Sequence, residues 1–275
     1  MDHIVINHQL IKNSEAAISV QDRGFRFGDG VFETCLINKG EIYNWQAHFL
    51  RLKAGLLAIK INFNDKNLLA SCQELIKENR IKDGIIRIAI SRGVGSIGYL
   101  PQKNIKPTLI IETSEKLAPP NQPIKLMASS YSKPSLKSLP VNFKLMNGIN
   151  STLVKMEAVE NGCFDGIIFN EKNQICETSS ANIFWIKGDV LFTPNLDCGC
   201  LAGTIRQRII ELSPIKIELV KAKIADLMEA DEVFLTNVAI GVLKIDEIGG
   251  KKFNGEKFSK IFADLLKKDI QEYVN

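Results

Sequence analysis

The chain has 275 residues, of which 45% are hydrophobic and 24% are charged, and its net charge at pH 7 is +4. This length and composition predict a folded protein with one large domain or two modest ones rather than a disordered chain. Lysine and arginine are dispersed, the first ten residues lack the pattern of a signal peptide, and no apolar run approaches the about 20 residues of a membrane span. We therefore expect a cytoplasmic protein that binds neither nucleic acid nor membrane.

Cysteine and histidine placement limits the possible chemistry. Cys198-Gly199-Cys200 has the wrong spacing for a zinc site, and no histidine follows His48, so no metal is expected. No nucleophile-elbow motif accompanies the histidines, which argues against a serine or cysteine hydrolase. In an enzyme with this sequence, we expect lysine or a carboxylate to carry protons.

Hydrophobic spacing predicts alternating strands and helices in the first part of the chain. Period-two patterns predict strands at 31–37, 41–43, 85–91 and 108–112. Apolar residues from Trp45 to Ile59 recur at helical spacing and predict an amphipathic helix. A second helix, capped by Asn64 or Asp65, is predicted to run to about Arg80.

The segment 116–123, Lys-Leu-Ala-Pro-Pro-Asn-Gln-Pro, breaks all periodicity and predicts an interdomain linker. It separates a small N-terminal α/β domain, 1–115, from a larger C-terminal domain, 124–275. In the latter, strands are predicted at 124–128, 166–170, 182–186, 190–192 and 232–236, and helices at 151–160, 204–212 and 256–273. We predict a two-domain architecture of mixed α and β structure.

Three features of the C-terminal part could carry chemistry. Gly203-Thr204 opens a predicted helix, whose free N–H groups could bind a phosphate, although a plain helix cap is the simpler interpretation. Lys144 lies between Phe143 and Leu145, where burial could lower an amine pKa from ~10.4 toward ~7.5, although a surface lysine would look the same. Glu177 could hold a protonated pyridine nitrogen or could be a turn residue.

Together with flanking stretches, these features resemble the class IV aminotransferases over nearly the whole chain. These are the fold-type IV pyridoxal-phosphate enzymes, which include branched-chain and D-amino acid aminotransferases and aminodeoxychorismate lyase. The matching stretches are Asp22–Thr34 (DRGFRFGDGVFET), His48–Leu52 (HFLRL), Ser91–Gly93, Lys144–Asn147 (KLMN), Glu177–Phe184 (ETSSANIF), Thr193-Pro194 and Gly203–Arg206 (GTIR). The resemblance implies a two-domain α/β fold of the D-amino acid aminotransferase type.

The resemblance also implies a cofactor, pyridoxal 5'-phosphate, and a role for each matching residue. Lys144 would carry the cofactor covalently and move protons, and Glu177 would contact its ring nitrogen. Its phosphate would be held by Arg51, Thr204 and the N–H groups of Thr204 and Ile205, and the site would be lined by Ser180 and Asn182. The family further implies a small-molecule substrate and a homodimer, with the active site between domains and the partner subunit completing it.

Within the family, the chain is most similar to aminodeoxychorismate lyase, which gives 4-aminobenzoate and pyruvate for folate synthesis. Supporting features are Gly98-Tyr99 after Ser91-Arg92-Gly93, the run Phe234–Asn237, and Asp197 with Gly199. Candidate substrate-binding residues are Arg92, Tyr99 and Asn237.

The sequence leaves three other functions open. A D-amino acid or a branched-chain aminotransferase would use the same scaffold, and a non-catalytic pyridoxal-phosphate-binding protein would retain the same motif residues. Three departures from the lyase pattern are Ile97, where an arginine is common, Gly148, where an aromatic residue is frequent, and Leu243-Lys244-Ile245, which replaces a usual Pro-Val ending. They leave the partners of the substrate carboxylates undecided.

Overall fold

The protein is described by a computed structural model that covers residues 1–63, 66–116, 118, 120 and 122–273. Backbone contacts divide the chain into two compact units. The first unit contains Met1–Lys116, the segment Phe143–Gly148 and the end of the chain from Ile270. The second contains Ile149–Asp269 and the described residues between Lys116 and Phe143. Within the described residues, no helix is long and apolar enough to cross a membrane.

The first unit is built on an antiparallel sheet. Its strands are β1 (His3–Ile6), β2 (Gln9–Lys12), β3 (Gly30–Asn38), β4 (Glu41–Ile42), β5 (Gly84–Ser91) and β6 (Thr108–Ser114). Among the described residues, the strand order is β2-β1-β6-β5-β3-β4. Alternate residues of the central strand β5, Ile86, Ile88 and Ile90, are fully buried, as expected for a strand that presents every second side chain to the core.

Among the described residues, three α-helices accompany this sheet: α1 (Arg23–Phe27), α2 (Trp45–Ala58) and α3 (Leu68–Glu78). Leu52 and Leu56 of α2 pack into the same core as Leu68 and Leu75 of α3. The predicted strands at 31–37, 85–91 and 108–112 and the helix from Trp45 are confirmed. The proposed caps of the second helix, Asn64 and Asp65, lie outside the described residues.

The segment Phe143–Gly148 joins the first unit because it pairs with the start of β3. The Phe32 N–H donates to the Lys144 carbonyl oxygen at 2.9 Å, and the Met146 N–H donates to the Gly30 carbonyl at 3.0 Å. Val31 and Leu145 form a bridge between these bonds. The predicted contiguous domain of residues 124–275 therefore needs correction, because Lys144 belongs to the unit that carries the N-terminal part of the chain.

The second unit contains two sheets. Their strands are β7 (Lys125–Ser132), β8 (Asp165–Phe169), β9 (Ile175–Thr178), β10 (Asn182–Lys187), β11 (Val190–Pro194), β12 (Lys216–Val220), β13 (Glu232–Asn237), β14 (Gly241–Lys244), β15 (Glu247–Ile248) and β16 (Lys251–Lys252). In the described part of the chain, the strand orders are β12-β11-β10-β13-β14 and β16-β15-β7-β8-β9. Ile167 of one sheet and Ile183, Val233 and Leu235 of the other share one core.

The helices of the second unit are α4 (Ile149–Glu160), α5 (Thr204–Leu212), α6 (Ile224–Met228) and α7 (Lys257–Tyr273), whose last residues belong to the first unit. The predicted hairpin of β10 and β11 is confirmed, and Gly188 at its turn has φ +60°, a conformation that favours glycine. The mixed α and β fold class is also confirmed. Strands β9, β12, β14, β15 and β16 were not predicted, and β9 contains Glu177, which the alternative interpretation had placed in a turn.

Candidate active site

Lys144 lies in the first unit, next to β3. Its backbone is fixed by the bond from Phe32, and its Nζ lies 4.0 Å from the centre of the Phe32 ring. The residue is partly buried, which fits neither a fully solvated surface lysine nor a core residue. The amine thus has a defined position over the face of an aromatic ring.

A buried carboxylate, Glu33 of β3, holds two residues of α2. Its Oε1 accepts from Arg51 Nε at 2.8 Å and its Oε2 from Arg51 Nη2 at 2.6 Å, while His48 Nδ1 lies 2.8 Å from Oε2. His48 and Arg51 are three residues apart on the helix, so both side chains reach the same carboxylate. We refer to Lys144, Phe32, Glu33, His48 and Arg51 as the lysine cluster.

Charges in the lysine cluster are set by burial and by the ion pair. Burial raises the pKa of Glu33, but the charge and hydrogen bonds of Arg51 and the contact with His48 outweigh it and bring the pKa to about 2. Burial lowers the pKa of His48, against the influence of Glu33. At neutral pH the carboxylate and guanidinium are therefore both charged, and the imidazole is neutral. The sequence pattern identified Arg51 but not Glu33 as the group that fixes it.

Glu33, Cys35 and His48 also place three possible metal-ligand atoms within 4.8 Å of one another. Two observations disfavour a cation there. The Glu33 carboxylate already binds Arg51, whose positive charge would repel a metal ion. Burial also raises the pKa of the Cys35 thiol well above its usual value, which keeps it protonated.

Arg92, a candidate for binding substrate, is engaged in a structural network. Its Nε and Nη2 donate to Asp29 at 2.7 and 2.9 Å, and its guanidinium also donates to the backbone carbonyls of Ile59 and Lys60. Burial raises the pKa of Asp29, but Arg92 and Arg23 together lower it. Because this network accounts for Arg92, we leave that residue out of the proposed substrate site.

Tyr99, another substrate candidate, belongs to an exposed segment of the first unit and is 88% exposed. Its ring centre lies 5.6 Å from that of Phe27. Arg23 donates to the backbone carbonyls of Gly98 and Tyr99, both at 2.8 Å, and so fixes the path of the segment. The Tyr99 side chain is thus presented outward by an anchored backbone.

Glu177, in strand β9 of the second unit, is 6% exposed and its two oxygens have different partners. Oε1 lies 2.5 Å from Lys133 Nζ. Oε2 accepts from the Leu201 N–H at 2.9 Å and from Asn182 Nδ2 at 3.5 Å. Asn182 Nδ2 also donates to the Leu201 carbonyl at 2.9 Å. Sequence analysis selected Glu177 and Asn182 but missed Lys133, which lies in a Ser/Pro/Lys-rich stretch without periodicity.

Helix α5 begins directly beside Asn182. A Cβ on its capping residue Gly203 would lie 2.0 Å from Asn182 Oδ1, so a glycine is required at this position. Thr204 and Ile205 are buried, and the first-turn N–H groups of a helix have no intrahelical acceptors. Arg206 Nε is buried and has no hydrogen-bond partner among the described residues. We refer to Glu177, Lys133, Asn182, Leu201 and Gly203 as the glutamate cluster, which adjoins this helix start.

The remaining predicted residues of the second unit support its backbone. Asn237 Nδ2 donates to the Ser180 carbonyl at 3.0 Å, and Asn237 Oδ1 accepts from the N–H groups of Ala239 and Ile240. The exposed Ser180 donates through its hydroxyl to the buried Asp165 at 3.3 Å. Asn237 therefore shapes the turn after β13 and links it to the stretch that follows Glu177.

Comparison with known proteins assigns the family. Residues 30–248 match the family model for amino-transferase class IV. The chain is 30% identical to a putative branched-chain-amino-acid aminotransferase of Methanocaldococcus jannaschii, with 96% of this chain and 94% of that protein covered. It is 28% identical to the aminodeoxychorismate lyase of Bacillus subtilis, with coverage of 99% and 96%.

A solved structure shows the same fold. The branched-chain aminotransferase of Thermoproteus uzoniensis, determined with norvaline, superposes with a TM-score of 0.92 at 22% identity, covering 99% of this chain and 97% of that one. The fold-type IV architecture is thereby confirmed. Since the family model spans well over half of the sequence, this chain belongs to the class IV aminotransferases, a family of pyridoxal-phosphate-dependent enzymes.

Proposed function

We propose that the chain is a 4-amino-4-deoxychorismate lyase, which uses pyridoxal 5'-phosphate to form 4-aminobenzoate and pyruvate for folate synthesis. The observation that carries the assignment as an active enzyme is the fixed, buried Glu177 carboxylate. A non-catalytic pyridoxal-phosphate-binding protein would not require a buried carboxylate to protonate the ring nitrogen. The Bacillus subtilis lyase, 28% identical over nearly the whole chain, supports the choice of reaction.

The residues present fit the chemical groups of the cofactor. Its aldehyde calls for an amine, which Lys144 provides, and its ring nitrogen calls for a buried carboxylate, which Glu177 provides. Its phosphate calls for cationic and N–H donors. The start of α5 offers N–H groups and the Thr204 hydroxyl, and the lysine cluster offers the guanidinium of Arg51. The buried Arg206 Nε, which lacks a partner among the described residues, is a further unused donor near that helix start.

Two positions support the lyase over the aminotransferases. Tyr99 stands where D-amino acid aminotransferases usually have a histidine for the substrate carboxylate, whereas Ile97 replaces an arginine that is common in both groups and does not discriminate between them. Asn237, whose side chain holds the turn at Ala239 and Ile240, stands where branched-chain aminotransferases usually have Gly-Thr-Ala. Both differences lie outside the cofactor-binding residues, so they bear on the substrate alone.

The proposed reaction assigns distinct tasks to the protein groups. The bound cofactor supplies an electron sink for the carbon that carries the substrate amine. Lys144 removes the proton from that carbon, as a positioned base. Glu177 would hold the cofactor's ring nitrogen in its protonated form, and Arg51 and Thr204 would hold its phosphate. The substrate carbocycle would become aromatic as its enolpyruvyl group leaves, and the departing group would take up the proton that Lys144 removed and be released as pyruvate, so the reaction needs no keto-acid acceptor.

A branched-chain or D-amino acid aminotransferase is the second candidate, and the 30% identity to the Methanocaldococcus protein favours the former. The test is incubation of purified protein with aminodeoxychorismate alone, and separately with branched-chain or D-amino acids plus 2-oxoglutarate. The proposal expects 4-aminobenzoate and pyruvate in equal amounts from the first mixture. Turnover in the second mixture without product in the first would replace the lyase by an aminotransferase. Lys144→Ala is the control that should be inactive in both.

The proposal includes a homodimer. Segments 20–27 and 97–100 of the first unit contact each other through Arg23, and they expose Val20, Phe25, Ile97 and Leu100 by 70% or more. Such a concentration of exposed apolar side chains is typical of a protein interface. Sedimentation equilibrium should give twice the chain mass of 30.7 kDa, and Ile97→Asp combined with Leu100→Asp should shift the protein toward the monomer. A wild-type monomer would contradict this part of the proposal.

A further inference from the structure

Lys133 and Glu177 approach each other across one strand of the second unit. The Lys133 N–H, immediately after β7, donates to the Phe169 carbonyl on β8 at 2.8 Å. Glu177 on β9 pairs with Ile168 on the other side of β8. Adjacent strands are about 4.8 Å apart, so the two backbones are separated by roughly 10 Å, which the two extended side chains can span. Their charged ends are 2.5 Å apart, and the side chains are 12% and 8% exposed.

Lys133 is held in its charged form. Burial alone would lower the pKa of Lys133, but the charge of Glu177 and the hydrogen bond to it outweigh burial and raise the pKa above its ordinary value. The nearby thiols do not compete for the negative charge. Burial and the charge of Glu177 raise the pKa of Cys200 to about 12, and the same two causes raise the pKa of Cys176. Arg206, another cation close enough to interact with Glu177, donates to the Pro194 carbonyl.

Each Glu177 oxygen therefore has its own fixed partner. Lys133 binds Oε1, and the Leu201 N–H binds Oε2. The loop that carries Leu201 also passes close to Lys133, since a Cβ built on Gly199 would lie 3.6 Å from Lys133 Cγ. The lysine is thus part of the arrangement that orients the carboxylate, and it supplies the positive charge that a buried carboxylate requires to stay ionised.

Building on the proposed function, we propose that Lys133 is a positioning residue that keeps Glu177 ionised and oriented, so that the proton shared with the cofactor stays on the ring nitrogen. Lys133 lies in direct contact with Glu177, and a ring nitrogen held by Glu177 would bind the carboxylate rather than the ammonium. Lys133 therefore stabilises the carboxylate more than it opposes a proton on the ring. Without the ammonium, burial favours a protonated Glu177 and an unprotonated ring nitrogen.

The test is the ¹⁵N chemical shift of the ring nitrogen in holoenzyme reconstituted with ¹⁵N-labelled pyridoxal 5'-phosphate. Wild type and Lys133→Arg, which keeps the charge, should both give a pyridinium shift. Lys133→Met should move the signal toward that of an unprotonated pyridine. Lys137→Met, which removes an exposed lysine from the same stretch, is the matched control and should resemble wild type. Lys133→Gln takes the place of Lys133→Met if the latter is too unstable to isolate, with the same expectation.

An unchanged ring-nitrogen signal in Lys133→Met would overturn the role of Lys133 while leaving the proposed function intact. A wild type that takes up no cofactor would overturn both. Melting temperatures of the cofactor-free proteins give an independent readout. Glu177→Gln should lower the melting temperature by leaving Lys133 buried without its partner, and adding Lys133→Met should recover part of the loss. Additive losses in the double variant would show that the two residues are not coupled and would also count against the proposal.

Discussion

Replacing Glu33 by glutamine should destabilise the first unit strongly. The side chain is 1% exposed, and its pKa of about 2 compares with an ordinary value near 4.5. At about 1.4 kcal/mol per pKa unit, the environment favours the ionised form by about 3 kcal/mol. Removal of one partner from a buried ion pair typically costs 3–5 kcal/mol, so the two figures agree in size. Glu33→Gln would leave Arg51, whose side chain is 8% exposed, without its carboxylate.

The assay is urea unfolding of the cofactor-free protein, followed by circular dichroism between pH 2.5 and pH 7. Since the pKa of Glu33 is lowered on folding, the ionised side chain stabilises the folded state. This stabilisation is fully present above about pH 4.5 and is lost as the pH falls toward 2. The free energy of unfolding of Glu33→Gln should be about 3 kcal/mol lower than that of wild type at pH 7, and this difference should narrow below pH 4.5.

The matched control for this experiment is Glu112→Gln in the same unit. Glu112 is 54% exposed on its side chain, and its oxygen lies 3.6 Å from Arg87 Nε, so its loss should cost less than about 1 kcal/mol. A decrease of less than about 1 kcal/mol in the free energy of unfolding of Glu33→Gln at pH 7 would refute the reasoning, and so would a difference from wild type that does not depend on pH. The variant should also bind pyridoxal phosphate more weakly, because Arg51 would no longer be fixed.

Three further changes test other parts of the structure. Gly203→Ala should cost about 1–3 kcal/mol and weaken cofactor binding, because the new Cβ would displace Asn182, whereas Gly98→Ala, with nothing within 4 Å, should be neutral in the same unfolding assay. In Lys144→Ala, mass spectrometry should no longer detect the cofactor adduct that borohydride traps in the wild type. Its turnover should fall at least about 100-fold. An adduct that persists would move the anchor elsewhere. Arg92→Ala should lower stability by about 1–3 kcal/mol without a rise in KM, and a raised KM at unchanged stability would return Arg92 to the substrate site.

The motif residues could be identified from sequence because each motif is local. Gly203-Thr204 predicted the start of α5 correctly, and the run after Glu177 led correctly to strand β10. The position of Lys144 beside β3 could not be predicted, because it depends on backbone bonds between residues more than 100 positions apart. Lys133 was missed for the same reason, since no periodic pattern relates the end of β7 to a carboxylate two strands away.

Glu177 itself shows how burial overrides local preference. A polar residue before Thr-Ser-Ser suggests a turn by composition, yet Glu177 lies within a four-residue strand. The pairing of β9 with β8 and the partners Lys133 and Leu201 satisfy the charge that would otherwise keep it at the surface. Such compensation depends on tertiary neighbours, so local composition suggested a turn at Glu177 where the structure has a buried strand.

The attachment of Phe143–Gly148 to β3 has a consequence for how the polypeptide can be divided and assembled. Both flanking residues, Asn142 and Ile149, belong to the second unit, so the chain enters and leaves the first unit around Lys144. Cutting after Lys116 would yield an N-terminal fragment that lacks Lys144 and the segment that forms backbone hydrogen bonds with the start of β3. During synthesis, likewise, the start of β3 can pair with this segment only after residue 148 has emerged from the ribosome. Lys144 therefore reaches its position beside β3 after all the strands of the first unit have been synthesised.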